Sequence, residues 1–198
     1  MALKRINTGS DKAKSDVVYE VLPAGEYEGR LVYIADLGLQ SRDFKGEEKP
    51  PCQQISLGIE ICGQSVTIDG VDTPKMLWSK SFNIFSRLTD KGRELELYQV
   101  FNPKAVPDVI ADWDSFMGEP CSVHISHRTG KGEYAGRVFE EIAMLAPIPA
   151  KYRKGVPEAR LVPCIGDAED ENNEATKAMY GLTKFIHAKR IGDGPIPF

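Results

Sequence analysis

The sequence predicts a mainly β protein: a five-stranded Greek-key barrel with a helix between its third and fourth strands, then a C-terminal linker and an amphipathic helix. Two patterns indicate this plan. Every second position from Ile55 to Ile61 is isoleucine or leucine, which is typical of a half-buried strand. Residues 88–103 instead show a helical spacing of apolar side chains, and strand-like segments lie on both sides of them.

The first three strands are expected before residue 88. Tyrosines and β-branched residues after Pro23 and Gly25 predict a strand from about Glu26 to Ile34. A long polar loop, QSRDFKGEEKPP, should separate it from the alternating strand. The run KMLWSKSFNIFSRL predicts a third strand or a bent strand pair.

The helix should begin near Thr89, which can cap its first turn, and end at Asn102-Pro103. A second short helix is predicted around Asp112 to Met117. The runs CSVHISHR and YAGRVFEEIAMLAPIP, separated by the turn TGKGE, predict a β-hairpin. This order of elements is compatible with an OB-type barrel.

Composition divides the chain into five parts. A polar arm (1–20) precedes the barrel (21–148), and a proline-rich and acidic linker (149–174) follows it. Apolar residues three to four positions apart predict an amphipathic helix at 175–191, which Gly192 would end. The last part, 192–198, reads GDGPIPF.

Charge and cysteine content narrow the function classes. The net charge of −4 does not favour a protein that coats nucleic acid by bulk attraction, although residues 151–160 are basic. No segment has the pattern of a signal peptide or a membrane span, so no membrane partner is expected.

Four scattered cysteines indicate reduced thiols. Cys121 and His124 would project from opposite faces of a strand, which argues against a metal site.

Aromatic side chains that stack on bases, interleaved with cations that meet phosphates, are the signature of single-strand binding. Four stretches offer this mixture. They contribute Tyr27, Arg30 and Tyr33; Arg42, Phe44, Lys45 and Lys49; Trp78, Lys80, Phe82, Phe85 and Arg87; and, around the last hairpin, His127, Arg128, Lys131, Tyr134 and Arg137.

Several of these residues have a structural alternative. Trp78 is as compatible with the core as with a binding surface, Phe82 is more typical of the core, and at least one of Tyr27 and Tyr33 should be structural. Phe44 is hard to bury because charged residues flank it in the predicted loop.

An enzymatic alternative is carried by one acidic pattern. Asp36 and the run Glu47-Glu48-Lys49 formally resemble the acidic-acidic-lysine site of metal-dependent nucleases. The run is expected in a solvated turn, whereas such sites need carboxylates on adjacent strands. No phosphate-binding, dinucleotide-binding or nucleophile-elbow motif is present in the sequence. We therefore expect no enzyme activity and no cofactor.

A family resemblance adds to these residues. The run LPAGEYEGRLVYIADLGLQ…FKGEEKPPC (22–52), with the later segment WSKSFNIF, resembles single-stranded DNA-binding proteins of tailed bacteriophages. The C-terminal Ile196-Pro197-Phe198 is similar to the end of bacterial single-stranded DNA-binding proteins. However, only Asp193 lies near this tip, where the bacterial tails carry several acids.

The resemblance implies an OB-fold protein in the cytoplasm of the infected host. It would coat and protect single-stranded DNA during replication, recombination or repair, with little sequence preference. Its tail, through Asp193, Ile196, Pro197 and Phe198, would recruit phage or host replication and recombination proteins. Binding of duplex DNA and a homo-oligomeric state are compatible with this interpretation. The alternative is a protein-interaction or virion-associated β-barrel module that does not bind DNA.

Overall fold

The computed structural model describes residues 17–18, 21–68, 70–90 and 92–167, and they form a β-rich structure with few helices. The predicted mainly β class is confirmed. The amphipathic helix (175–191) and the C-terminal tip (192–198) predicted above lie outside the described residues, as does most of the N-terminal arm. The strands are β1 (Val17–Val18), β2 (Gly25–Phe44), β3 (Glu47–Ile68), β4 (Val71–Trp78), β5 (Phe82–Asn83), β6 (Pro120–Thr129), β7 (Val138–Pro147) and β8 (Cys164–Asp167); the helices are α1 (Arg93–Phe101) and α2 (Ala150–Arg153).

The strands form one largely antiparallel sheet. Its path runs β1-β3-β2-β6-β7, with β4 and β5 paired to β3. Only β8 pairs in parallel, next to residues Tyr33–Asp36 of β2. The sheet is open, because no backbone pairing joins β4 to β7 in the described part of the chain.

The prediction of a polar loop after the first strand is wrong. Residues 40–51 instead continue β2 and β3 as one long hairpin, in which Arg42 pairs with Lys49. The hairpin turns at Lys45 and Gly46, which both have positive φ angles. Side chains on both faces of this ribbon are largely in contact with solvent, so its composition is that of a loop even though its backbone pairs across strands.

The main core lies between this sheet and α1. Every apolar side chain at the alternate positions of β3 predicted to be inward, from Ile55 to Ile61, is buried. On the other side of the core, α1 contributes Tyr98 and Phe101 to an aromatic cluster with Trp113 and Phe116, with ring centroids 4.7 to 6.1 Å apart.

The predicted helix exists, but its start differs. It begins at Arg93 after Gly92, without a side-chain cap, and Asn102 follows its last residue as predicted. Thr89 makes no capping hydrogen bond to the first turn, and its carbonyl accepts the Gly92 N–H in a separate turn. The short helix predicted around Asp112 to Met117 is a 3-10 turn at Asp114–Phe116, and the predicted last hairpin is formed by β6 and β7.

Residues 154–163, here called the strap, lie against the sheet. The Glu60 carboxylate on β3 accepts the N–H groups of Arg160 and Leu161. The Arg30 guanidinium on β2 donates to the carbonyls of Val156 and Pro157. The chain then continues into β8, beside a small apolar cluster of Tyr33, Ala35, Leu37, Met76, Trp78 and Cys164 that is separate from the main core.

Candidate nucleic-acid interface

A groove begins beside the β2–β3 hairpin, in a cavity of about 790 Å³. Its cations are Arg42 and Lys49, which are cross-strand partners. Acidic side chains share the wall, and the Lys49 ammonium lies 2.7 Å from a carboxylate oxygen of Glu47. The lining is Ser41, Arg42, Asp43, Glu48, Lys49, Gln54 and Asn83. This end of the groove is therefore polar, with charges of both signs.

The groove continues into a second cavity of about 460 Å³. Gln54 and Asn83 line both cavities, and the Gln54 Nε2 donates to the Asn83 Oδ1 at 2.9 Å. The second cavity also contains the Phe85 ring, 41% exposed, and Arg93 at the start of α1. Here the groove offers an accessible aromatic ring beside a cation.

Phe85 is held in place by a buried carboxylate. The Glu94 Oε2 accepts the Phe85 backbone N–H at 3.2 Å, and its Oε1 accepts the Trp113 indole N–H at 3.4 Å. Burial raises the pKa of the Glu94 carboxyl, and these two donors partly offset the shift. The groove is thereby tied to the first turn of α1 and to the aromatic cluster of the core.

A second aromatic and basic cluster lies at the tip of the β6–β7 hairpin. Arg128 lies over the Phe139 ring at 4.8 Å, and Arg137 lies 5.8 Å from the centroid of Tyr134. The Tyr134 and Phe139 rings meet edge to face at 6.1 Å, and Tyr134 is 47% exposed. Gly130 is required below them, because an added Cβ would lie 2.2 Å from the Tyr134 carbonyl oxygen.

One carboxylate connects the hairpin tip to the groove. Glu141 on β7 lies 3.8 Å from both the Lys80 ammonium and the Arg128 guanidinium. Lys80 directly precedes Ser81, which lines the second cavity. Glu141 thus links the tip cluster to Lys80, the sequence neighbour of the groove residue Ser81, and we call the groove and the tip cluster together the groove surface.

Three of the predicted DNA contacts are buried. The Arg30 guanidinium donates hydrogen bonds to backbone carbonyls of the strap and of Gly118. Tyr33 packs edge to face against Trp78 at 5.1 Å, and Phe82 packs against Trp113 in the core. The structure thus places these three side chains inside the fold, which agrees with the structural alternative given above for Tyr33 and Phe82 and corrects the prediction of Arg30 as a DNA contact.

The other predicted residues divide between the groove surface and other places. Trp78 is half-buried in the small apolar cluster, and the half-buried Tyr27 donates its hydroxyl to the Pro23 carbonyl at 2.8 Å. Phe44 ends β2, Lys45 lies exposed in the hairpin turn, and Arg87 donates to the Asp108 carbonyl at 2.7 Å. The structure brings onto or beside the groove surface Arg42, Lys49, Lys80, Arg128, Lys131, Tyr134 and Arg137.

Four residues of the groove surface were not predicted. Gln54 and Asn83 are directly opposite each other on β3 and β5, and Phe139 is directly opposite Arg128. Arg93, the first residue of α1, lines the second cavity. Strand register decides both cross-strand contacts, and no local sequence signal specifies that register.

The carboxylates of the nuclease alternative do not converge. Asp36 pairs with Ile55, whereas Glu47 and Glu48 lie at the far end of the hairpin opposite Phe44 and Asp43. Along β2, Asp36 and Asp43, the partner of Glu48, are seven residues apart, which corresponds to about 23 Å at the rise of a strand. Within the described residues, no group of three His, Cys, Asp or Glu side chains could hold a metal ion.

Comparison with protein-family models, curated proteins and solved structures finds no match for this chain. Among the described residues, no helix has the length and apolar character needed to cross a membrane. The geometry of the groove surface is therefore the basis for assigning a function.

Proposed function

We propose that the protein binds single-stranded DNA along the groove surface, without a cofactor and with little sequence preference. The observation that carries this proposal is the combination of exposed Phe85 and Tyr134 rings with cations of the groove surface, Arg93 in the same cavity as Phe85 and Arg137 beside Tyr134. Every base offers a face for stacking, and every nucleotide offers a phosphate, so such a surface binds without reading base edges.

The chemistry of binding follows from two kinds of contact. Bases unstack from each other and stack on the exposed rings, while Arg42, Arg93 and Arg128 meet the phosphates. The amide groups of Gln54 and Asn83 offer hydrogen bonds to either. Because acids such as Asp43 and Glu141 share the surface, phosphate contacts must compete with internal ion pairs. We expect moderate affinity that falls as salt rises.

We propose further that the sheet is an OB-type barrel. Its long strands run in the order β4-β3-β2-β6-β7, and α1 lies in the chain between the fourth and sixth strands. A buried ion pair between Lys75 and Glu140 brings the two ends of this order, β4 and β7, into contact. Single strands bind OB domains through strand faces and the loops beside them, which agrees with the position of the groove surface.

The test is a titration of fluorescently labelled single-stranded and duplex oligonucleotides at several salt concentrations. A label on the DNA is preferable to tryptophan emission, because Trp113 is buried and Trp78 packs against Tyr33. Saturable binding of single strands that weakens with salt is the expected result. No binding of single strands at low salt would rule the proposal out.

A protein-interaction module is the second candidate. Val106, Val109 and Ile110 are exposed on the loop after α1, and backbone hydrogen bonds between this loop and Leu88 hold them in place. An exposed aliphatic cluster of this kind is typical of a protein contact.

Recruitment of replication proteins by the C-terminal tip stays a prediction, as does an origin in a phage. Deletion of Pro195–Phe198 should abolish partner binding and leave DNA binding intact.

A further inference from the structure

The short helix α2 is fixed to the body of the protein by one arginine. The Arg153 Nε donates to the Ile148 carbonyl at 3.0 Å, its Nη1 lies 3.3 Å from the Glu119 Oε2, and its Nη2 donates to the Phe101 carbonyl at 3.4 Å. Because Phe101 is the last residue of α1, these bonds place α2 at the C-terminal end of that helix.

The other long side chains of this segment face solvent. Tyr152 is 58% exposed, and the Lys151 ammonium lies 4.6 Å from the centroid of its ring. Lys154 is also exposed. Neither lysine forms an ion pair with any of the residues that the structure describes. We call Lys151, Tyr152 and Lys154 the α2 patch.

The α2 patch and the groove lie at opposite ends of α1. The groove ends at Gly92 and Arg93, where α1 begins, and α2 is bonded to the helix's last residue. A nine-residue helix is about 14 Å long. A single strand crosses that distance with about four nucleotides at the rise of a duplex strand, and with fewer when extended.

We propose that the α2 patch is a second contact for single-stranded nucleic acid, reached by a strand that leaves the groove at Arg93. Lys151 and Lys154 meet backbone phosphates, and a base stacks on the open side of the Tyr152 ring. The inference rests on the proposed function of the groove surface. An exposed aromatic ring with two cations that form no ion pair among the described residues, held on an anchored turn, matches the chemistry of a nucleotide better than that of an apolar partner.

The experiment compares two lengths of labelled oligo(dT) with the full chain. A length of about 6 nucleotides fits the groove alone, and about 20 nucleotides reaches beyond one OB-sized site. The variants are K151E/K154E and Y152A, with K151R/K154R as the control that retains the charges. Circular dichroism and thermal unfolding check that each variant is folded.

The short oligonucleotide should bind all variants alike. For the long one, K151E/K154E should lower the affinity at least 10-fold at low salt and reduce the salt slope by about 1.4, the value for two single-strand phosphate contacts. Y152A should lower the affinity of the long oligonucleotide several-fold and leave its salt slope unchanged, and K151R/K154R should behave as wild type.

Unchanged binding of the long oligonucleotide by folded K151E/K154E overturns the inference and leaves the groove assignment intact. An equal loss for both lengths also overturns it, because the patch would then belong to the groove or to the fold. Binding of a poly-glutamate peptide by wild type but not by K151E/K154E, together with unchanged DNA binding, would assign the patch to an acidic protein. Failure of wild type to bind either oligonucleotide overturns the proposed function and this inference together.

Discussion

The Lys75 ammonium lies 2.6 Å from the Glu140 Oε1, and both side chains are almost completely excluded from solvent. Lys75 is on β4 and Glu140 on β7, the two ends of the order of long strands, which share no backbone pairing in the described residues. The Leu22 N–H also donates to the same carboxylate oxygen. One buried ion pair therefore connects the edges of the open sheet.

Removing one partner of this pair should destabilise the protein strongly. E140Q or K75M leaves the other charge buried without its counter-ion, which typically costs about 3–5 kcal/mol in the free energy of unfolding. The apolar pair K75M/E140L should recover most of that loss, since apolar replacements of buried pairs are often neutral. Urea denaturation of wild type, K75M, E140L and K75M/E140L measures these free energies and gives the coupling energy, and E140Q is measured beside them.

The control for this cycle is E141Q, next to Glu140 on β7. Its ion pairs with Lys80 and Arg128 are partly exposed and 3.8 Å long, so it should cost about 1 kcal/mol or less. A loss of that small size in E140Q as well would mean that the buried pair does not hold β4 to β7.

Replacing the exposed rings of the groove surface should weaken DNA binding without unfolding the protein. F85A and Y134A should each cost about 1–3 kcal/mol of binding free energy if each ring stacks on a base. The salt slope should not change, because no charge is removed. Fluorescence anisotropy with labelled oligo(dT) measures both quantities.

I110A is the control, because this exposed aliphatic residue lies on the loop after α1. F82A gives the opposite contrast: its buried ring packs on Trp113, so we expect a loss of stability of about 3–5 kcal/mol. If F85A and Y134A both bind as tightly as I110A, the rings of the groove surface do not contact bases.

Arg30 should behave as a structural residue. In R30M the carbonyls of Gly118, Val156 and Pro157 lose their charged donor, which we expect to lower stability by about 2–3 kcal/mol. R30K should recover only part of this, because an ammonium cannot reproduce the forked geometry of the guanidinium. Thermal and urea unfolding measure the change.

R160K is the matched control on the strap, since its guanidinium bonds to Asp72 are exposed. Folded R30K should bind oligo(dT) like wild type. Weakened binding with unchanged stability would return Arg30 to the binding site and would mean that the strap moves away when DNA binds.

The local sequence pattern predicts those elements of the fold whose structure is determined within a single segment of the chain. The buried positions from Ile55 to Ile61 follow from period-two alternation, and the end of α1 follows from Asn102-Pro103. The β2–β3 hairpin was not predictable in this way, because a ribbon wetted on both faces has the polar composition of a loop. Only its cross-strand pairing identifies it.

Only part of the candidate site was predicted, because a sequence pattern shows only residues that are close together along the chain. The tip residues Arg128, Tyr134 and Arg137 are close in sequence, so composition alone finds them. Arg30 has the same local pattern as an exposed cation, yet the carbonyl that buries it belongs to Pro157, 127 residues away. Contacts across such separations depend on the complete fold.

The buried Glu94 carboxyl should make stability depend on pH in a defined direction. Its pKa in the folded state is raised above the ordinary value of 4.5, chiefly by burial. The folded protein therefore holds this proton to higher pH than the unfolded chain does. The stabilisation from protonated Glu94 is complete below about pH 4.5 and is lost as the pH rises through the raised folded-state pKa.

In E94Q this pH dependence should disappear, because glutamine does not titrate. The free energy of unfolding of wild type minus that of E94Q should fall from pH 4 upward and then become constant. Urea denaturation across this range measures it, with E96Q, an exposed glutamate of the same helix, as the control. A wild-type minus E94Q difference that is flat with pH would contradict the raised pKa. A parallel decrease in the affinity of E94Q for oligo(dT) would mean that the Glu94 carboxylate also holds Phe85 in position through its backbone N–H.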